Sequence, residues 1–110
     1  MLKLSDVKTI SCEELLELLN TNDDVVLFDM RTEEEYDAAH IDGAVHLTEE
    51  NFHEEAQHFT DNTVIILQCY RGNASKVLGL DLMNQGAENI YSLDGGITRW
   101  AKLGYPLVTS

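Results

Sequence analysis

The chain has 110 residues, 44% of them hydrophobic and 25% charged, with a single proline. That size and make-up fit one globular domain over residues 1–110 and exclude disordered or low-complexity architectures. The formal net charge of −13 argues against nucleic acid and anionic membrane surfaces as partners, because both are held chiefly by Lys and Arg.

The first β-rich run is "VKTI", followed by the amphipathic "SCEELLELLN". Ser11 with Glu14 three residues later forms a capping-box pattern, and Leu15, Leu18 and Leu19 give the helix its apolar face. Cys12 falls in this first turn. With no cationic neighbour beyond the turn, it is expected to be an inert or partly buried thiol. A second strand, "VVLFDM", leads to "TEEEYDAA", a helix capped by Thr32, and then to a third strand, "AVHL". Thr48 caps "TEENFHEEAQHF" by the same logic. The fourth strand, "TVIILQC", precedes "NASKVLGLDLMNQG", in which Leu78 and Leu82 are one helical step apart while Ser75 and Gly79 keep that face low enough to pack on a sheet. "NIYSL" and "GGITRWAKLG" complete the series.

This alternation predicts an α/β domain with a mostly parallel central sheet of five strands, helices on both faces and buried strands that are continuously apolar. The acidic runs "EELLE", "EEEYD" and "EENFHEE" are expected to be solvated helix faces. No apolar stretch reaches the roughly 20 residues of a membrane span, and "MLKLSDVKTIS" lacks the apolar core of a signal peptide, so a cytoplasmic location is expected. In a reducing compartment Cys12 and Cys69 are expected to be free thiols. His40, His46, His53 and His58 show no zinc-ligand spacing, and no metal site is expected.

The stretch "VIILQCYRGNAS" carries the candidate chemistry. In an open α/β sheet, ligands bind at the carboxyl ends of the strands, which is where Cys69 lies. Gly72 lets the backbone curl with positive φ, so that successive N–H groups form an anion-binding nest. The helix beginning near Asn73 to Ser75 adds its own unsatisfied N–H groups and the positive end of its dipole. Amide donors, that helix terminus and the Arg71 guanidinium all favour a thiolate, so Cys69 needs no partner histidine. Arg71 also offers a planar fork of donors to an oxyanion substrate. The alternative at this point is a Cys69 that is only a small hydrophobe closing a core strand, with Tyr70 as packing and Asn73 and Ser75 as helix caps.

Three ordered stretches resemble a single-domain rhodanese of the bacterial thiosulfate sulfurtransferase type, and together they cover nearly the whole chain. "FDMRTEEEYDAAHIDGAVHL" is similar to the segment D-x-R-x-x-x-E-[FY]-x-x-G-H-I-x-G-A, matched by Asp29, Arg31, Glu35, Tyr36, His40, Ile41, Gly43 and Ala44. Ala39 stands where glycine is usual and Asp42 where proline is frequent. "CYRGNAS" resembles the active-site loop, with Tyr70 in place of a frequent arginine, and "YSLDGGITRWAKLGYPL" resembles the closing segment through Asp94, Gly95, Gly96 and Trp100. Phosphatase and arsenate-reductase relatives of this fold carry Cys-x5-Arg, whereas the sixth residue after Cys69 is Ser75.

The resemblance implies a rhodanese-like fold and double displacement: Cys69 as nucleophile, Tyr70, Arg71, Gly72, Asn73, Ala74 and Ser75 as the loop that binds substrate, thiosulfate as donor and a persulfide as intermediate. Cyanide, a cellular thiol or a thioredoxin-like protein is the implied acceptor, and no cofactor or metal is needed. A persulfide relay or protein-binding module with little thiosulfate turnover is the competing function. Asp29, Arg31 and Glu35 are expected to form a structural ion pair and cap, and His40 to be a hydrogen-bonded structural histidine. Asp94, Gly95 and Gly96 read as a tight turn into the last helix, with Asp94 as its cap and Trp100 as its anchor.

Overall fold

The computed structural model describes residues 2–109. Five parallel strands, β1 (Lys8–Ile10), β2 (Val25–Asp29), β4 (Val45–His46), β5 (Val64–Gln68) and β6 (Ile90–Leu93), form one sheet in the order β1-β6-β5-β2-β4. β5 lies in the middle, with Leu27 beside Ile66 and Leu67 beside Ser92. Its residues Ile65 to Gln68 are all buried, as the continuous apolar run requires of a strand covered on both faces.

The side-chain period of two divides the core. Ile10, Leu27, Ile66 and Leu93 face α1 (Cys12–Thr21) and α5 (Gly96–Lys102), packing with Leu15 and Trp100. Phe28, Ile65, Leu67 and Ile90 face the other way, against Phe52 of α3 (Glu49–Ala56) and Leu78 and Leu82 of α4 (Asn73–Asn84). Gly79 lets α4 approach the sheet: a Cβ there would lie 3.1 Å from a Val7 methyl group.

The expected caps form at the first three helices. Ser11 Oγ accepts from the Glu14 amide at 3.1 Å, Thr32 Oγ1 from Glu35 at 3.2 Å, and Thr48 Oγ1 from Asn51 at 2.9 Å. The Thr32 cap opens the short α2 (Glu33–Ala38). Arg31 binds Asp29 with Nη2 2.8 Å from Oδ2 and also donates to the Ala39 carbonyl, so the buried ion pair ties the end of β2 to the end of α2. Glu35 takes the capping role. Ala39 has φ −167°, extended backbone open to any residue, and Gly43 at φ +88° forms the turn closed by the Ala44 amide on Ile41. His40 is buried, stacked on Tyr36 at 3.9 Å between ring centroids, with Nδ1 2.7 Å from the Tyr36 carbonyl oxygen.

A second, two-stranded sheet was not among the expected elements. β3 (His40–Ile41) pairs antiparallel with β7 (Leu107–Val108), too short a pairing for a period-two pattern to register. Trp100 holds the approach to β7 by donating its indole N–H to Pro106 O at 2.9 Å while Tyr105 packs edge-on against its ring. Glu33, Glu34, Glu49, Glu50 and Glu54 are exposed, as expected of solvated helix faces. Among the described residues no helix is long and apolar enough to cross a membrane.

Candidate active site

β5 ends at Gln68 and α4 begins at Asn73, so Cys69 to Gly72 form a four-residue bridge at the carboxyl edge of the sheet. The helix begins at Asn73, as expected, so of the substrate-binding stretch Tyr70 to Ser75 only Tyr70, Arg71 and Gly72 lie in the loop, and Asn73, Ala74 and Ser75 form the first turn of α4. Neither Asn73 nor Ser75 caps the helix: the N-cap is Gly72, at φ +96°, with no side-chain cap bond. A side chain there would be strained by that φ and would place its Cβ 3.0 Å from Leu93 O.

This curl aims amides at the sulfur. Cys69 Sγ accepts from the Gly72 N–H at 3.2 Å and the Ser75 N–H at 3.4 Å, and lies 3.3 Å from Ser75 Oγ. Ser75 Oγ is in turn 2.6 Å from Ser92 Oγ on β6, which stands 3.5 Å from the Gly72 carbonyl oxygen. Both serines are fully buried, and Cys69 is 6% exposed. Burial alone raises the pKa of this thiol, but the Ser75 hydroxyl and the amides of Ser75, Gly72 and Arg71 outweigh it and hold the pKa below the ordinary value. The remaining first-turn amides, those of Asn73 and Ala74, have no acceptor within the helix. Tyr70, Arg71, Asn73 and Ala74 are exposed around the buried sulfur, and among the described residues the Arg71 guanidinium makes no ion pair.

The loop's carbonyls point to a different partner. Cys69 O accepts from the Ile97 amide at 3.0 Å and Tyr70 O from the Thr98 amide at 3.0 Å, while Gln68 Nε2 adds a second donor to Cys69 O at 3.2 Å. The loop thereby caps α5, and this explains why Asp94, the expected cap, makes no such bond: the N-cap is Gly95, at φ +78°, and the orphan donors are already taken. A Cβ on Gly96 would overlap the Tyr70 carbonyl and sit 2.6 Å from Cys69 O. Gly96, read from sequence with Asp94 and Gly95 as a turn without chemistry, is therefore what lets the thiol loop dock. The double glycine was the visible signal; the close backbone approach it serves was not.

Cys12 presents the contrast. It is fully buried, its Sγ is 3.8 Å from the Asp94 carbonyl oxygen, and burial, reinforced by the nearby Glu13 charge, pushes its pKa up. Both cysteines are free thiols.

A parallel α/β sheet that presents a buried thiol at its carboxyl edge, ringed by the amides of a helix N-terminus, defines a class of cysteine-centred anion sites. Within that class the family is specific. The rhodanese-like domain matches residues 11–103, and the chain belongs to that family. It is 35% identical to the thiosulfate sulfurtransferase GlpE of Tolumonas auensis over 103 residues, covering 94% of this chain and 95% of that protein. A solved thiosulfate sulfurtransferase from Pseudomonas aeruginosa superposes with a TM-score of 0.83 at 23% identity, over 96% of this chain and 21% of the longer one. A Rhodopseudomonas palustris protein described as a possible tyrosine phosphatase superposes with a TM-score of 0.77 at 21% identity, over 94% and 86% of the two chains. At those identities the two structures establish a shared fold only.

Proposed function

We propose that this chain is a thiosulfate sulfurtransferase that works through a persulfide on Cys69. The observation that carries this reading is the pair of amides, from Gly72 and Ser75, bonded to the Cys69 sulfur in a loop whose carbonyls are turned the other way. The 35% identity to a thiosulfate sulfurtransferase over nearly both whole chains supports the choice of donor.

Thiosulfate meets the exposed Arg71 and the unpaired amides of the first turn. The Cys69 thiolate attacks its outer sulfur; a new S–S bond forms, the bond to the sulfonate sulfur breaks, and sulfite leaves with that electron pair. The terminal sulfur of the resulting persulfide carries the negative charge, and the Asn73 and Ala74 amides stabilise it as an oxyanion hole would. A thiophile attacks that sulfur and restores the thiolate: cyanide leaves as thiocyanate, and a thiol leaves as a persulfide. For the physiological acceptor we favour a thiol protein of the thioredoxin type, acting in the cytoplasm. With Ser75 at the sixth position after Cys69, the loop lacks the second cation that a phosphate would meet.

Intact mass after incubation with thiosulfate tests the reading. The expected result is a gain of one sulfur atom with stoichiometric sulfite in the wild type and neither in Cys69→Ser. A folded wild type with a reduced thiol that takes up no sulfur overturns it.

A further inference from the structure

The chain Cys69 Sγ, Ser75 Oγ, Ser92 Oγ crosses from the thiol loop through α4 to β6, and no step of the sulfur transfer uses its far end. We propose that Ser92 is a positioning residue for the thiol, holding the Ser75 hydroxyl as a donor to the sulfur when Cys69 ionises. This inference rests on the reading of Cys69 as the nucleophile.

Hydrogen counting decides the directions. Each serine hydroxyl donates once and accepts through its lone pairs, and a thiolate only accepts. With Cys69 protonated, the S–H points at Ser75 Oγ, the Ser75 O–H at Ser92 Oγ, and the Ser92 O–H at the Gly72 carbonyl, the last a long contact at 3.5 Å. When the thiol gives its proton to water, both hydroxyls turn: Ser92 donates to Ser75 and Ser75 donates to the anionic sulfur. Only the weak 3.5 Å contact is lost, and the gain is a charge-assisted bond backed by a short one of 2.6 Å.

Because both serines are fully buried, water does not replace a missing member of the chain. Without Ser92, the Ser75 hydroxyl loses the donor that polarises it, and as a first-turn serine it becomes free to bond back to the Gly72 carbonyl three residues earlier. Both effects weaken the thiolate more than the thiol. The charged and titratable side chains on the surrounding elements are Tyr70 and Arg71 in the loop, Lys76 and Asp81 on α4, Tyr91 on β6, Asp94 after it, and Arg99 and Lys102 on α5. Among the described hydrogen bonds none of these side chains reaches the sulfur.

The test is the pH profile of iodoacetamide alkylation, followed on the Cys69 peptide by mass spectrometry in full-length wild type, Ser92→Ala, Ser75→Ala and the double variant, with thermal unfolding in parallel. Ser92→Ala is expected to move the midpoint upward and slow alkylation at neutral pH roughly threefold, less than Ser75→Ala does, because a polarising bond is lost and not the direct one. In the Ser75→Ala background, removal of Ser92 is expected to add nothing, as required of a residue that acts through another. Ser92→Thr retains the hydroxyl and is expected to keep the wild-type midpoint. An unshifted midpoint in Ser92→Ala, an additive shift in the double variant, or a folded Ser92→Thr that shifts as far as Ser92→Ala overturns the proposal. Alkylation reads the thiol whether or not sulfur is transferred. A low wild-type midpoint without sulfur loading defeats the sulfurtransferase reading alone, and loading with no Ser92 effect defeats this inference alone.

Discussion

Cys12 and Cys69 are both buried thiols beside a helix N-terminus, yet burial wins at one and loses at the other: the Cys12 pKa is raised and the Cys69 pKa lowered. Cys12 is the first residue of α1, but two donors of that terminus are engaged in the capping box, the Glu14 amide on Ser11 Oγ and the Ser11 amide on Glu14 Oε1, and none is aimed at its sulfur. Its sulfur meets a carbonyl oxygen, which disfavours an anion. Cys69 precedes α4, has no capping side chain to compete with, and receives the amides itself. A helix dipole close to a sulfur therefore does not make a thiolate; N–H groups aimed at it do.

The largest effect is expected from breaking the clamp that aims those amides. Gly96→Ala sets a Cβ into the backbone of Tyr70 and Cys69, an overlap that no side-chain rotation relieves. Destabilisation of about 3 kcal/mol is expected by urea unfolding, as for other overpacked sites. Sulfite release from the folded fraction is expected to fall on the order of 100-fold, because the loop shifts relative to its substrate. Wild-type turnover in a stable Gly96→Ala protein would separate the clamp from the chemistry.

Arg71→Ala sharpens the comparison from the substrate side. Its guanidinium makes no described hydrogen bond to the sulfur, and the groups that lower the Cys69 pKa are the Ser75 hydroxyl and backbone amides, so the guanidinium contribution expected from the sequence is absent and the alkylation profile of Cys69 is expected to stay where it is. The value of kcat/KM for thiosulfate is expected to drop roughly 10- to 100-fold, as for the loss of a charge-assisted contact. Steady-state kinetics with thiosulfate and cyanide, run beside alkylation, distinguish substrate binding from thiol activation.

The two thiols also predict opposite pH behaviour in one experiment. A lowered pKa means that Cys69 ionises, and alkylates, at a pH below that of an ordinary cysteine; a raised pKa means that Cys12 ionises only above it. The linkage signs follow. Cys69 contributes stability above the unfolded thiol's pKa and loses it as pH falls through its own, whereas Cys12 contributes below the unfolded pKa and loses it as pH rises through its own. Peptide-resolved alkylation between neutral and alkaline pH checks the order; simultaneous labelling of both residues in the folded protein would contradict it.

How much of this was legible in the sequence depended on range. The five strands of the parallel sheet, the Ser11, Thr32 and Thr48 caps and the position of Cys69 at a strand end are local signals, and the structure contains each of them. Gly72 announced its positive φ through residue type. Long-range contacts carried no such mark. The docking of the Cys69 and Tyr70 carbonyls on the Ile97 and Thr98 amides displaced the expected Asp94 cap, and it spans nearly thirty positions of chain. Ser92, one polar residue in an otherwise apolar strand, reads as noise until β6 is placed next to β5 and beneath α4. The β3 and β7 pairing failed to register for the same reason, since two residues hold no period.

The smallest effect is expected where the comparison is most direct. Cys12→Ala removes one buried sulfur from the cluster of Ile10, Leu15, Leu93 and Trp100 without touching the loop. The cavity is small, so a loss of about 1 kcal/mol is expected, visible as a fall of roughly 5 °C in the thermal midpoint of a domain this size. The alkylation profile of Cys69 and its sulfur loading are expected to remain at wild-type values, because Cys12 donates nothing to that sulfur. The Asp94 carbonyl that Cys12 meets is nonetheless followed directly by Gly95, the N-cap of α5, the helix on which the thiol loop docks. A Cys12→Ala protein that loses only stability assigns Cys12 to the core; one that also shifts the Cys69 midpoint would show that packing behind the Asp94 to Gly96 turn is transmitted through α5 to the amides around the nucleophile.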